Sequence, residues 1–155
     1  MLCYKNVALA QERVRAQYAN DMGIRGTPPG NNGYLGFYFP RSEIIPPNIT
    51  GEFFFKPDAG ATSVAVVPEL AFPPFSHPRT ILESQILSNK LRVTDIVPPG
   101  APPLQRLVLA EGASSNTVIQ WVVADVFGTS VYIEERKTGT QEVAAFGGAL
   151  LARHA

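Results

Sequence analysis

Val7, Ala10, Val14 and Tyr18 recur at three- and four-residue intervals across residues 5–21, while Glu12, Arg13 and Arg15 lie elsewhere on the wheel. That spacing predicts a helix with one narrow apolar stripe, stopped by Gly23. Because the stripe is narrow and rich in alanine, residues 1–27 are expected to form a helical arm packed on a sheet or on a neighbouring chain. Residues 27–33, Thr-Pro-Pro-Gly-Asn-Asn-Gly, are turn formers throughout and predict a loop. Beyond them the apolar pattern shortens. Segments 34–39, 52–56 and 63–67 are rich in aromatic and β-branched residues and predict strands, and segments 91–97 and 104–110 are expected to follow as two more. Thr80 and Glu83 have the form of a capping box, which leaves residues 80–88 open between a short helix and a strand.

The last third carries the strongest apolar signal. Segment 117–127 has apolar residues on both alternation faces, Ile119, Trp121, Val123 and Phe127 against Val118, Val122, Ala124 and Val126. A strand buried on both sides looks like this, so it is expected to be the central one. Gly128-Thr129 fits a hairpin turn into a strand over 130–136, and residues 137–140 turn into a third strand over 142–151, interrupted by Gly147-Gly148. With about eight strands against one helix, the fold expected for residues 28–155 is all-β, a single antiparallel sandwich or barrel with Pro-rich extended loops.

Proline supports the segmentation. All 14 prolines lie between Pro28 and Pro103, and ten of them form the pairs 28–29, 46–47, 73–74, 98–99 and 102–103. A Pro-Pro pair lacks two donors and fixes φ, so each marks a connection. The chain is 45% hydrophobic and 17% charged, with 13 basic and 13 acidic side chains in balance. General disorder is excluded, and neutrality argues against nucleic acid as the main partner. The single cysteine, Cys3, excludes an intramolecular disulfide and a Cys-rich zinc site. No signal peptide or membrane-length apolar run is recognisable, so cytoplasmic synthesis is expected, and Asn48-Ile49-Thr50 reads as a chance sequon.

Chemistry is sparse. His77 and His154 are the two histidines and have no metal-ligand spacing, and neither G-x-S-x-G nor a phosphate-binding Gly-rich motif with lysine occurs. Cys3 lacks an assigned partner and reads as inert. Glu134, Glu135, Arg136 and Lys137 read as a solvated hairpin tip, and Trp121 as a core residue. Asp125, on an otherwise apolar segment, must be paired or protonated if buried. No catalytic set, cofactor or metal site is therefore expected.

Aromatic residues remain. Seven of the nine phenylalanines fall in the Pro-rich zone. One sheet face buries only alternate residues, so Tyr34, Phe37, Tyr38, Phe39, Phe53, Phe55, Phe72 and Phe75 are the candidate interface. The function expected is a non-enzymatic structural subunit that self-associates into a homo-oligomer or larger assembly, most concretely a virion component that decorates a capsid or attaches to a tail. The alternative is a β-barrel for a small apolar ligand, with Trp121, Tyr132 and Phe146 lining a cavity and Asp125 or His77 as its polar group. A third is peptide capture by strand addition.

Overall fold

The computed structural model describes residues 5–18, 27–57, 63–110 and 114–133. In chain order these form α1 (Val7–Tyr18), β1 (Leu35–Phe39), β2 (Gly51–Pro57), β3 (Val64–Val67), α2 (His77–Ile96), β4 (Arg106–Leu109), α3 (Thr117–Phe127) and β5 (Ser130–Ile133). β1, β2 and β3 make an antiparallel meander with β2 in the middle, in which Phe37 pairs with Phe53 and Phe54 with Val67. β4 and β5 form a separate parallel pair, Leu107 opposite Val131, joined through α3. α2 packs against α1, β1 and α3.

Local chemistry explains α2. Pro78 sits in its first turn, where a missing N–H costs nothing, and Pro98 follows just beyond its end. Nothing between them is Gly or Pro. Its first half is buried on all sides, from His77 to Ile86. Close approach to β1 is made through Gly36, where a Cβ would stand 2.9 Å from the Thr80 methyl. Tyr38 and Phe54, on the covered face of the meander, pack edge to face with ring centroids 5.6 Å apart, and Phe72 closes on Phe54. Ala10 and Val14 bring the stripe of α1 into the same core with Ile81, Ile86, Val122 and Val123.

The all-β expectation is thus corrected: the fold is mixed α/β, with five strands in two sheets and three α-helices among the described residues. The expected central strand over 117–127 is α3. Apolar residues on both alternation faces also satisfy a buried helix, and periodicity alone does not separate the two. Here the ends separate them, because Asn116 caps the amino end and Gly128, at φ 66°, closes the other. The expected strand over 91–97 is the second half of α2, which also resolves residues 80–88 as helix. Gly128-Thr129 joins a helix to β5 rather than two strands, so the expected meander there is replaced by a parallel β4–α3–β5 unit. The helix stop at Gly23 and the third strand over 142–151 lie outside the described residues. All five Pro-Pro pairs sit in connections between the helices and strands. Among the described residues no helix is long and apolar enough to cross a membrane.

Candidate functional site

Alternation along β1 and β2 sends Tyr38 and Phe54 into the core and leaves Phe37, Phe39, Phe53 and Phe55 on the opposite face. Those four rings line a cleft of about 830 Å³. Phe37 and Phe55 meet edge to face at 6.1 Å, and Phe39 lies 6.3 Å from Phe53. Other walls come from Ser84, Gln85, Ser88 and Asn89 of α2, from Leu109 at the carboxyl end of β4, and from Ser115, Asn116, Ile119 and Val123 around the start of α3. The volume is that of a small-molecule site, largely apolar with a few polar groups.

The polar end of the cleft is built by the β4–α3 connection. A parallel strand pair joined by a helix places the carboxyl end of the first strand beside the amino end of the helix, which carries the positive end of the helix dipole. Asn116 organises that end. Its Oδ1 accepts the Val118 and Ile119 N–H groups at 3.0 and 3.3 Å, and its main-chain carbonyl accepts from Gln120 N–H at 3.1 Å. Asn116→Ala is expected to lower stability by about 1 kcal/mol in urea unfolding, whereas Asn116→Asp, which keeps the cap, is expected to leave the midpoint near wild type.

Opposite, Glu43 is buried against the start of α1. Its carboxylate accepts from the Lys5 and Asn6 N–H groups, from Asn6 Nδ2 and from its neighbour Ile44 N–H, at 2.7 to 3.1 Å. Burial, the largest single influence, pushes its pKa up, but these four donors together hold it below the usual carboxylate value. Asn6 completes the tie by donating to the Arg41 carbonyl and accepting from Arg41 N–H. This wall of the cleft is therefore fixed by polar contacts, not by packing alone.

Outside the cleft lining stands an ion network. Arg79, nearly buried, donates from Nε to Glu83 Oε1 and from Nη2 to Asp125 Oδ2, both at 2.7 Å, and from Nη1 to the Thr27 carbonyl at 3.0 Å. Glu83 Oε1 also accepts from Gly30 N–H at 3.0 Å. One guanidinium thus joins the turn at residues 27–30, α2 and α3.

The structure divides the sequence-predicted residues. Phe37, Phe39, Phe53 and Phe55 come together in the cleft wall. Tyr38 also borders the cleft, but its ring is buried in the core with its hydroxyl 2.7 Å from His77 Nδ1. Tyr34 and Phe72 pack edge to face on one another, and Phe75 is exposed. Trp121 is half exposed, so its expected core position is corrected. The residues of the apolar-ligand alternative do not converge: His77 is enclosed by Tyr18, Tyr38, Phe54 and Phe72, Asp125 pairs with Arg79, and Tyr132 is exposed. Phe146, Cys3, His154 and the acidic–basic run from Glu134 lie outside the described residues. Sequence reasoning missed Ser115, Asn116 and Arg79. Asn before an apolar run that ends in Gly was the available signal for the first two, and the i,i+4 spacing of Arg79 and Glu83 for the third.

Comparison with known proteins changes the function class. No protein-family model matches the chain. It is 34% identical over 164 residues to xylulose kinase 2 of Arabidopsis thaliana, a match covering 99% of this chain and 28% of that protein. It is 32% identical over 160 residues to the xylulose kinase of Mus musculus, covering 99% of this chain and 27% of that protein. The chain therefore spans little more than a quarter of the length of these curated relatives. Similarity to kinases along nearly all of this chain overturns the expectation of a non-enzymatic structural subunit, and capsid decoration and tail attachment fall with it. The sequence misled because it offers no short catalytic motif to read, and surplus aromatics look the same whether they line a cleft or face a partner.

Proposed function

We propose that this chain is part of a sugar kinase and supplies its nucleoside triphosphate site, the enzyme phosphorylating a ketopentose of the xylulose type. The observation that carries the reading is the parallel β4–α3–β5 unit opening onto the cleft: open α/β sheets bind ligands outside the carboxyl ends of their strands, and a helix amino end favours phosphate. Ser115 and Asn116 stand at that position. The rings of Phe37, Phe39, Phe53 and Phe55 offer an apolar wall against which a nucleobase can pack. Phosphoryl transfer leaves little covalent chemistry to the protein and depends on holding phosphates in place.

The test is titration of the 155-residue chain with a fluorescent ATP analogue labelled on the ribose. Saturable binding in the roughly micromolar to millimolar range typical of enzyme substrates is expected, reversed by ATP and ADP but not by xylulose. A linear, unsaturated signal, or displacement by xylulose alone, would sink the assignment of the nucleotide to this chain.

A further inference from the structure

We infer that Asn89 is the residue by which the cleft tells adenine from guanine; the inference rests on the nucleotide reading above. Aromatic rings bind a base without discrimination, because every base presents a π-face. The wall of Phe37, Phe39, Phe53 and Phe55 therefore does not select one purine over the other. Selection falls to a polar side chain of the lining that has both a donor and an acceptor to offer, since such a group rejects a ligand that leaves it unpaired.

Most of the polar lining is already engaged. Asn6 and Glu43 bond to one another and to the main chain of Lys5, Arg41 and Ile44. Gln85 uses both halves of its amide, accepting from Gln11 Nε2 at 2.8 Å and donating to the Val7 carbonyl at 3.1 Å. Ser84 donates to the Ile81 carbonyl. Gln11 Nε2 is taken by Gln85 and Asn116 Oδ1 by its cap, so neither residue presents a complete amide. Ser88 and Ser115 have interactions of their own. Asn89 differs: among the described residues neither its Oδ1 nor its Nδ2 has a hydrogen-bond partner. It lines the cleft half-buried, one turn along α2 from Gln85 and on the same face. Asparagine is also a poor helix former, and Asn89 stands mid-helix without bonding back to the helix as Ser84 and Thr94 do. Positions where local preference is overridden with no local compensation are where function is expected.

A carboxamide presents an N–H donor and a carbonyl acceptor side by side. Adenine matches it with N6–H and N7 on one edge; the same edge of guanine carries O6 and N7, two acceptors, and sets one of them against the Asn89 carbonyl. The rings hold the plane of the base and Asn89 reads its edge.

The test is displacement of the ribose-labelled ATP analogue by ATP, GTP and 7-deaza-ATP, which share the triphosphate and differ at the base. Wild type is expected to bind ATP about tenfold more tightly than GTP, and to bind 7-deaza-ATP, which lacks the N7 acceptor, about fivefold more weakly than ATP. Asn89→Ala is expected to weaken ATP about tenfold, leaving GTP within about twofold of its wild-type value and 7-deaza-ATP within about twofold of ATP. A change that merely disturbed the helix would weaken all three alike. Asn89→Asp keeps the shape and removes the donor, so it is expected to reverse the order and favour 7-deaza-ATP over ATP; it decides the matter if Asn89→Ala does not fold. Equal losses for ATP and GTP in Asn89→Ala, or the wild-type ratio of ATP to 7-deaza-ATP retained in either variant, would overturn the role of Asn89 and leave the nucleotide reading in place. If wild type binds none of the three, the nucleotide reading fails and the role of Asn89 fails with it.

Discussion

Replacing Arg79 by methionine is expected to destabilise the fold by about 3–5 kcal/mol, the range found when one partner of a buried ion pair is removed. The loss comes mainly from what is left behind. Glu83, with its side chain 6% exposed, is left buried without its partner, and the Thr27 carbonyl loses the Arg79 donor. Asp125, with its side chain 34% exposed, contributes less because water reaches it. Burial is the largest influence on the Arg79 pKa and lowers it, yet the bonds from Asp125 and Glu83 more than offset it and the group is held above its ordinary value. Urea unfolding followed by circular dichroism measures the effect. Adding Glu83→Leu to Arg79→Met removes the stranded carboxyl group and is expected to recover part of the loss, though not all, since Gly30 N–H then lacks its acceptor. A single-variant loss below about 1 kcal/mol would mean that water replaces the guanidinium and that the network is not the anchor described.

Acidification is expected to cost the fold about 3 kcal/mol through His77 alone. The ring is 1% exposed and lies parallel on Tyr18, at 3.8 Å between centroids, with Phe54 and Phe72 edge-on. Burial pushes its pKa down to about 4, with nearby Glu69 pulling weakly the other way. The unfolded chain, with an ordinary histidine near 6.5, binds a proton that the folded chain refuses between about pH 6.5 and 4. Stability through this group is therefore full above about pH 6.5 and falls as the pH drops to about 4. The difference of about 2.5 units corresponds to about 3 kcal/mol. The tyrosines on either side do not titrate in this window, since burial raises both Tyr18 and Tyr38 above their ordinary range. Glu43 loses stabilisation on acidification as well, because its folded pKa is depressed, so the effect of His77 is isolated by difference. His77→Gln is expected to be less stable at pH 7 and to show a shallower fall from pH 6.5 to 4.5 than wild type. Parallel stability–pH curves for the two proteins would show that the ring is protonated in the fold.

Some of this architecture was legible without coordinates. Proline pairs marked the connections, because two successive residues with no N–H and a fixed φ are excluded from helix interiors and central strands for reasons that hold in any context. The aromatic, β-branched segments at 34–39, 52–56 and 63–67 predicted β1, β2 and β3, and the stripe of Val7, Ala10, Val14 and Tyr18 predicted α1. Period and turn chemistry are properties of neighbours in the chain. Segment 117–127 was misread because its apolar residues satisfy either period and segment 91–97 because β-branched Val93, Thr94, Ile96 and Val97 also occur in helices, and the capping pattern of Asn116 and Gly128 was the local information that would have corrected the first.

The candidate site was less legible still. The eight candidate aromatics were identified as rings that one sheet face could not all bury, and four of them do share a face away from the core, yet nothing local says whether such a face meets a partner or walls a cleft. That depends on α2, on the end of β4 and on the start of α3, all at least 22 residues further along the chain than Phe55 and brought there by the fold. By itself the sequence determined where the proline pairs break the chain, that residues 34–39, 52–56 and 63–67 hold strands and which rings exceed the capacity of one sheet face, because these follow from steric limits and alternation within a few residues. Only the tertiary structure decided that β4 and β5 run parallel through α3, that Asp125 finds Arg79 46 residues away, and that the cleft opens at a helix amino end. Those are long-range pairings, whose free energy comes from burial and ion contacts between segments that carry no mark of one another.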